Sequence, residues 1–138
     1  MTERERIEEQ IRLHEGESLT PYVDTVGKIT IGVGHNLSDR GISSKVSRLM
    51  LQEDLDEAIT DLATFPWFGT LNAVRQRALI DLRFNLGYAR FRTFKQMLKA
   101  FEMGDHKRAA MEMLHSKWAA QVGARATKLA RMVETGAA

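Results

Sequence analysis

The chain has 138 residues, 43% of them hydrophobic and 28% charged, which suits a single well-packed domain spanning residues 1–138. No apolar run approaches the length of about 20 residues that a membrane span requires, and the absence of cysteine excludes disulfides and thiolate chemistry. The net charge of +2 is uneven: residues 1–82 carry 9 Lys+Arg against 14 Asp+Glu, and residues 83–138 carry 11 against 4. The basic half indicates an anionic partner (nucleic acid, membrane or polysaccharide) or simply a solvated helical surface.

The N-terminal third of the chain changes from a helical to an extended pattern. Ile7 and Ile11 lie four apart and predict a helix from about residue 3 to His14, which ends where Gly16 follows Glu15. The next segment is rich in Gly, Thr, Val and Ile, and a turn at 26–28 predicts a small β-hairpin. A lone hairpin is marginal in water, so it must pack on other elements.

From Ser43 the helical period returns and predicts a connecting helix over about 43–64. Four more helices are predicted from the periodicity and the glycine breaks, at roughly 71–86, 90–103, 105–119 and 122–134. The fold class is therefore α+β, mostly helical. We predict a small hairpin lobe over about 12–42, the connecting helix, and a helical lobe over about 65–138 that also includes the N-terminal helix.

Two carboxylates and a hydroxyl stand out around the predicted hairpin. Glu15 ends a helix, Asp24 lies in or beside the hairpin, and Thr30 lies on its second strand. Glycosidic bond cleavage usually needs one protonated carboxyl group and one ionised carboxylate, presented from different elements. The spacing alone is weak evidence, since surface carboxylates around a turn would look the same.

The residues around this trio form a much more specific pattern. The run HEGESLTPYVDTVGKITIGVGH, residues 14–35, resembles the active-site segment of phage lysozymes, the endolysins of T-even and lambdoid type (glycoside hydrolase family 24). The family pattern is Glu-Gly, then Leu-x-x-Tyr-x-Asp, then Gly-x-x-Thr-Ile-Gly-x-Gly-His. The matching positions are Glu15, Gly16, Leu19, Tyr22, Asp24, Gly27, Thr30, Ile31, Gly32, Gly34 and His35. The resemblance continues through 73–87, 116–118 and 125–136, and implies a lysozyme-like fold.

The resemblance implies a role for each member of the trio. Glu15 matches the family's general acid, Asp24 the carboxylate that positions or activates water, and Thr30 the hydroxyl that assists it. The implied reaction is hydrolysis of the β-1,4 bond between N-acetylmuramic acid and N-acetylglucosamine in peptidoglycan. Inversion is expected, which needs the two carboxyl groups roughly 6.5–9.5 Å apart.

Further positions match family residues outside the trio. Gly34 permits close approach of the backbone to substrate, and Phe84 and Asn85 match a pair at the cleft edge where an amide binds a sugar N-acetyl group. Arg125 matches the arginine that contacts the catalytic glutamate and substrate. His35 and Asp54 match a structural ion pair. Trp67 and Trp118 are predicted core residues rather than sugar platforms.

One departure from the family concerns the segment after His35. Only NLSDRG separates the hairpin from the connecting helix, whereas the T-even enzymes have a longer segment that forms an extra strand and a short helix. We therefore expect a smaller N-terminal lobe and a more open cleft, with the number of sugar subsites left open.

The expected partner is peptidoglycan, with a further contact expected between the basic C-terminal half and an anionic outer membrane. No cofactor is expected, no two histidines have metal-ligand spacing, and a monomer is expected. The acidic first ten residues do not resemble a secretory signal. We therefore expect synthesis in the host cytoplasm and holin-type release to the periplasmic wall.

Three alternatives remain. A lytic transglycosylase would cleave the same bond to an anhydro product and would need no water-directing aspartate. A non-catalytic peptidoglycan-binding module would not need the intact trio. A nucleic-acid-binding helical domain would use the basic helices over 88–134, although no recognisable nucleic-acid motif is present.

Overall fold

The computed structural model describes residues 1–138, the whole chain. It contains a three-stranded antiparallel sheet and nine helices, which confirms the predicted α+β, mostly helical class. The helices are α1 Glu3–Glu15, α2 Leu37–Arg40, α3 Ser44–Ala63, α4 Ala73–Leu86, α5 Tyr88–Arg92, α6 Lys95–Glu102, α7 His106–Leu114, α8 Lys117–Val122 and α9 Ala124–Thr135. The strands are β1 Ser18–Val23, β2 Ile29–Gly32 and β3 His35–Asn36. A 3₁₀ turn spans Phe68–Thr70.

The chain divides into two compact units, Met1–Leu49 and Met50–Ala138. The boundary falls inside α3, and α1 groups with the sheet in the first unit. The predicted division into a hairpin lobe, a connecting helix and a helical lobe that includes the N-terminal helix stays a prediction. No helix combines the length and apolarity that crossing a bilayer requires.

In the first unit, local signals define both α1 and the sheet. Thr2 caps α1 by accepting a hydrogen bond from the backbone N–H of Glu5, whose side chain accepts one from the N–H of Thr2. β2 is the central strand and pairs with β1 through Tyr22 and Thr30, and with β3 through Ile31 and His35. The predicted hairpin is therefore present, and β3 extends it.

The segment after the hairpin holds more structure than the sequence analysis expected. The short strand β3 and the one-turn helix α2 occupy it, where only a connection was expected. The Asn36 side chain caps α2 by accepting a hydrogen bond from the backbone N–H of Asp39. Elements of two and four residues are too short to show a hydrophobic period, which explains why they were missed.

The second unit is built around one hydrophobic core. α4 and α9 pack together, and α6, α7 and α8 complete the cluster. Trp118 is buried in this core and Trp67 packs against it half-buried, as predicted. The most completely buried side chains are Trp118, Phe91, Phe101, Leu62, Leu79, Leu82, Met97, Met113 and Val133.

Two of the predicted helices are each divided in the structure. The predicted helix over 90–103 becomes α5 and α6, and the one over 105–119 becomes α7 and α8. The Thr93 hydroxyl donates to the Arg90 carbonyl, and the Ser116 hydroxyl donates to the Met113 carbonyl while accepting from the N–H of Ala119. Such hydroxyl groups compete with helical backbone bonds and so end one helix and begin the next.

A buried ion pair connects α3 to α4 within the second unit. Arg83, only 7% exposed, donates from Nε and Nη2 to Oδ2 of Asp61 at 2.9 and 2.6 Å. The same guanidinium lies 5.9 Å from the centre of the Tyr88 ring. A buried cation is tolerated only when its charge is compensated in this way.

Candidate active site

Glu15 is the last residue of α1, and the end of the helix leaves its side chain exposed. Gly16 ends the helix with a φ of 74°, while its N–H still donates to the Arg12 carbonyl at 2.9 Å. A side chain at position 16 would make this conformation costly, because positive φ strains residues that carry a Cβ. The Glu-Gly pair therefore presents a carboxyl group at a helix terminus.

The Glu15 carboxyl group lies against the backbone of Gly34, in the turn between β2 and β3. A Cβ placed on Gly34 would be 3.0 Å from Oε2 of Glu15 and 3.5 Å from its Cδ. Gly34 also has a φ of 65°, so both its conformation and its contact favour glycine. The structure thus brings together the predicted acid and one of the predicted substrate-binding positions.

Asp24 directly follows β1 and organises the turn that leads to β2. Its Oδ1 accepts hydrogen bonds from the backbone N–H groups of Val26, at 3.0 Å, and Lys28, at 2.8 Å. Its own N–H donates to the Lys28 carbonyl at 2.9 Å, and its carbonyl accepts from the N–H of Gly27. Both side-chain bonds use one oxygen, which leaves Oδ2 for a water or a substrate group.

Thr30 is the buried polar residue of the first unit, at 3% exposure on the central strand. Its hydroxyl donates to the Lys28 carbonyl at 3.0 Å. Because that bond uses the only hydroxyl proton, the lone pairs of Oγ1 can only accept from a further partner. The backbone of Lys28 thus contacts both Asp24 and Thr30 and couples their positions.

The predicted substrate-binding residues of the second unit are Phe84, Asn85 and Arg125. Phe84 is 40% exposed on α4. The neighbouring Asn85 accepts a hydrogen bond through Oδ1 from Trp118 Nε1 at 2.7 Å, so its amide nitrogen remains available as a donor. Arg125 donates from Nε and Nη2 to Oδ1 of Asp81, and Asp81 was not singled out from the sequence.

The predicted ion pair of His35 and Asp54 joins the two units and stays a prediction. Within the first unit, Nε2 of His35 lies 2.6 Å from the Gly41 carbonyl oxygen. This distance requires a proton on Nε2, because a carbonyl oxygen can only accept. The roles assigned to Glu15, Asp24 and Thr30 are likewise predictions for which the structure supplies the local geometry.

Two contributors to the local geometry were missed in the sequence analysis, Lys28 and Asp81. Lys28 acts through its backbone, which carries no residue-specific signal. Asp81 lies on α4, and an acidic residue on a helix is ordinarily a surface feature. Only the fold could have identified either of them. No cluster of three or more His, Asp or Glu side chains able to hold a metal ion is present.

Comparison with known proteins assigns the chain to a family. The family model described as Phage lysozyme matches residues 12–134. Probable T4-type lysozyme 1 of Dictyostelium discoideum is 29% identical, with 94% of each chain covered. Endolysin of Salmonella phage P22 is 36% identical over 59% of this chain and 61% of its own. Pre-baseplate central spike protein Gp5 of Enterobacteria phage T4 is 27% identical over 93% of this chain and 27% of its own.

A small sheet that follows a helix ending at a glutamate is the arrangement expected of a lysozyme-like α+β fold. The family match covers most of the chain. The chain belongs to the phage lysozyme family. It is accordingly a glycosidase of lysozyme type that lyses peptidoglycan.

Proposed function

We propose that the protein is an N-acetylmuramidase that hydrolyses the β-1,4 bond between N-acetylmuramic acid and N-acetylglucosamine. Glu15 is the general acid, and Asp24 and Thr30 position the attacking water. The observation that carries the proposal is the contact of the Glu15 carboxyl group with Gly34, in the unit that also holds the Asp24 turn and the Thr30 strand.

In the proposed reaction, Glu15 gives its proton to the bridging oxygen as the bond to the muramic acid C1 breaks. A water attacks C1 and gives one proton to Asp24. The free Oδ2 of Asp24 and the lone pairs of Thr30 Oγ1 accept the two hydrogens of that water, so its own lone pair is directed at C1. Attack from the face opposite the leaving group would give inversion.

We also propose that Phe84, Asn85 and Arg125 bind substrate. The amide nitrogen of Asn85 has donors to spare, because the bond from Trp118 occupies only the amide oxygen. It would donate to the carbonyl oxygen of a sugar N-acetyl group. Phe84, on the same helix, offers an exposed apolar ring suited to an apolar face of the sugar chain.

The experiment is mass spectrometry of fragments released from purified Gram-negative sacculi by the wild type and by Glu15→Gln. We expect ordinary reducing ends at muramic acid from the wild type and no fragments from the variant. Anhydro ends would assign a lytic transglycosylase and leave Asp24 without its role. No fragments from either protein would leave a binding module.

The basic C-terminal half is the basis of a second proposal, contact with an anionic wall or outer-membrane surface. Residues 83–138 carry 11 Lys+Arg against 4 Asp+Glu. Contacts between exposed charges weaken with ionic strength, so we expect the lysis rate to fall between 50 mM and 300 mM salt, about where the Debye length drops below 10 Å. A salt-independent rate would reject this contact.

We further propose that the enzyme acts as a monomer and reaches the periplasmic wall after holin-type release. Sedimentation at micromolar concentration should give a mass near 15.6 kDa. Expression in a Gram-negative host should leave the cells intact until the inner membrane is permeabilised. Lysis without permeabilisation would reject the release step.

A further inference from the structure

Asp81 forms an ion pair with Arg125 that the sequence does not indicate. Asp81 lies on α4 and Arg125 is the second residue of α9, 44 positions along the chain. Nε of Arg125 donates to Oδ1 of Asp81 at 3.0 Å, and Nη2 donates to the same oxygen at 2.5 Å. Charge-assisted bonds from two nitrogens of one planar group restrict that group more than a single contact would.

The pair therefore determines which way the guanidinium presents its remaining donors. Arginine has five N–H groups in a rigid plane, and Asp81 engages two of them. The other three are left to bind further acceptors. Without Asp81 the side chain would explore several rotamers, and ordering it again would cost side-chain entropy on each binding event.

The packing of α4 against α9 does not depend on this pair. Near the N-terminus of α4, Arg75 donates from Nε and Nη2 to the carbonyls of Val133 and Glu134 at 2.7 and 3.0 Å. Leu79 and Leu129 are buried between the same two helices and their neighbours. By contrast, the Arg125 and Asp81 side chains are 42% and 41% exposed. Exposed ion pairs contribute little to the free energy of folding, so this pair does little to stabilise the fold.

We propose that Asp81 is a positioning residue for Arg125, holding its guanidinium in the orientation that binds substrate. The inference rests on the substrate-binding role proposed for Arg125. Asp81 contacts no substrate itself. It acts through Arg125 alone, and this is the property that the experiment tests.

The experiment measures kcat, apparent KM and thermal unfolding of the full chain on purified sacculi. We expect Arg125→Ala to raise KM about tenfold, because the loss of one charged hydrogen bond weakens binding by about that factor. Asp81→Asn should raise KM roughly threefold to tenfold with kcat unchanged, because it weakens binding of ground state and transition state alike. Asp81→Glu, which keeps the carboxylate, should restore most of the loss.

Two comparisons separate positioning from a general effect of charge or folding. Asp81→Asn added to Arg125→Ala should change KM no further, since Asp81 acts only through Arg125. Arg77→Ala removes an exposed arginine that lies one helical turn before Asp81 on α4, and should leave KM within about twofold of the wild type. All variants should unfold at nearly the wild-type temperature.

A normal KM for Asp81→Asn, together with a raised KM for Arg125→Ala, would overturn the inference and leave the proposed function intact. Additive effects in the double variant would also overturn it. A normal KM for Arg125→Ala would overturn both this inference and the role of Arg125. None of these results touches the catalytic proposal, which fails only if Glu15→Gln still releases fragments.

Discussion

The carboxyl group of Glu15 lies against Gly34, so closely that a single added carbon on Gly34 would come within 3.0 Å of Oε2. The glutamate ends α1, and the glycine lies in the turn that leaves the central strand. This contact places the proposed acid beside the sheet. Any side chain at position 34 would therefore collide with the Glu15 carboxyl group, in addition to straining the backbone.

The first prediction is that Gly34→Ala displaces the Glu15 carboxyl group and lowers kcat at least about tenfold, since misplacing a catalytic group by a fraction of an ångström is costly. Gly32→Ala is the matched control. Gly32 has a φ of 68°, close to the 65° of Gly34, but a Cβ there would meet nothing within 4 Å. Because both positions have a similar positive φ, each variant carries a backbone strain of roughly 1 kcal/mol. Turnover on sacculi and thermal unfolding would be measured together, and equal losses of activity would reject the contact as the cause.

The second prediction concerns Asp24→Asn. The side-chain oxygen of Asn can still accept from the N–H groups of Val26 and Lys28, so the turn should persist and the unfolding temperature should change little. The free oxygen becomes an amide nitrogen, which cannot accept a proton from water. Turnover should therefore fall on the order of 100-fold or more, the usual contribution of a general base. Wild-type turnover in this variant would show that Asp24 does not direct the water.

The third prediction is that Asp61→Ala lowers the free energy of unfolding by about 3 kcal/mol, because it leaves the buried Arg83 cation without its close partner. Glu57→Ala is the control. Glu57 lies 3.5 Å from the same guanidinium, but its side chain is 71% exposed, so its loss should cost less than about 1 kcal/mol. Urea unfolding at neutral pH would measure both variants. A similar loss of unfolding free energy in Asp61→Ala and Glu57→Ala would argue against the burial of Arg83 as the source of the destabilisation.

The fourth prediction concerns the pH dependence of stability. Burial lowers the pKa of His106 below its usual 6.5, the Arg75 cation lowers it further, and Asp105 opposes the shift. The unfolded chain therefore binds more protons than the folded chain between the lowered pKa and 6.5, so stability falls as the pH drops through that window. His106→Gln should flatten the dependence between pH 7.5 and 5.

Thermal unfolding of His106→Gln across this pH range is the measurement, with His115→Gln as control. His115 is exposed, so His115→Gln measures the effect of removing a histidine from the surface alone. If the unfolding temperature of His106→Gln falls with pH as steeply as that of the wild type, groups other than His106 account for the loss of stability in acid.

Much of the fold could be predicted from local signals in the sequence. The apolar period of Ile7 and Ile11, with Gly16 after Glu15, gave α1 to within a residue at its end. Gly27, with a φ of 83°, marks the predicted turn of the hairpin. Each of these signals determines the conformation of only a few neighbouring residues. The sequence alone is therefore enough to predict these elements. The breaks at Thr93 and Ser116 were missed because a hydroxyl inside an apolar period can either face solvent or cap a new helix.

The sequence by itself determined the family, the chemical identity of the candidate residues and the positions of the longer helices and the hairpin, because the motif and the hydrophobic periods are local and specific. Only the tertiary structure decided which side chains meet. Glu15 contacts Gly34, Trp118 binds the oxygen of Asn85 across 33 positions, and Asp81 holds Arg125 across 44. Such contacts depend on how helices and strands pack in three dimensions, and the spacing of residues along one chain carries no record of that geometry.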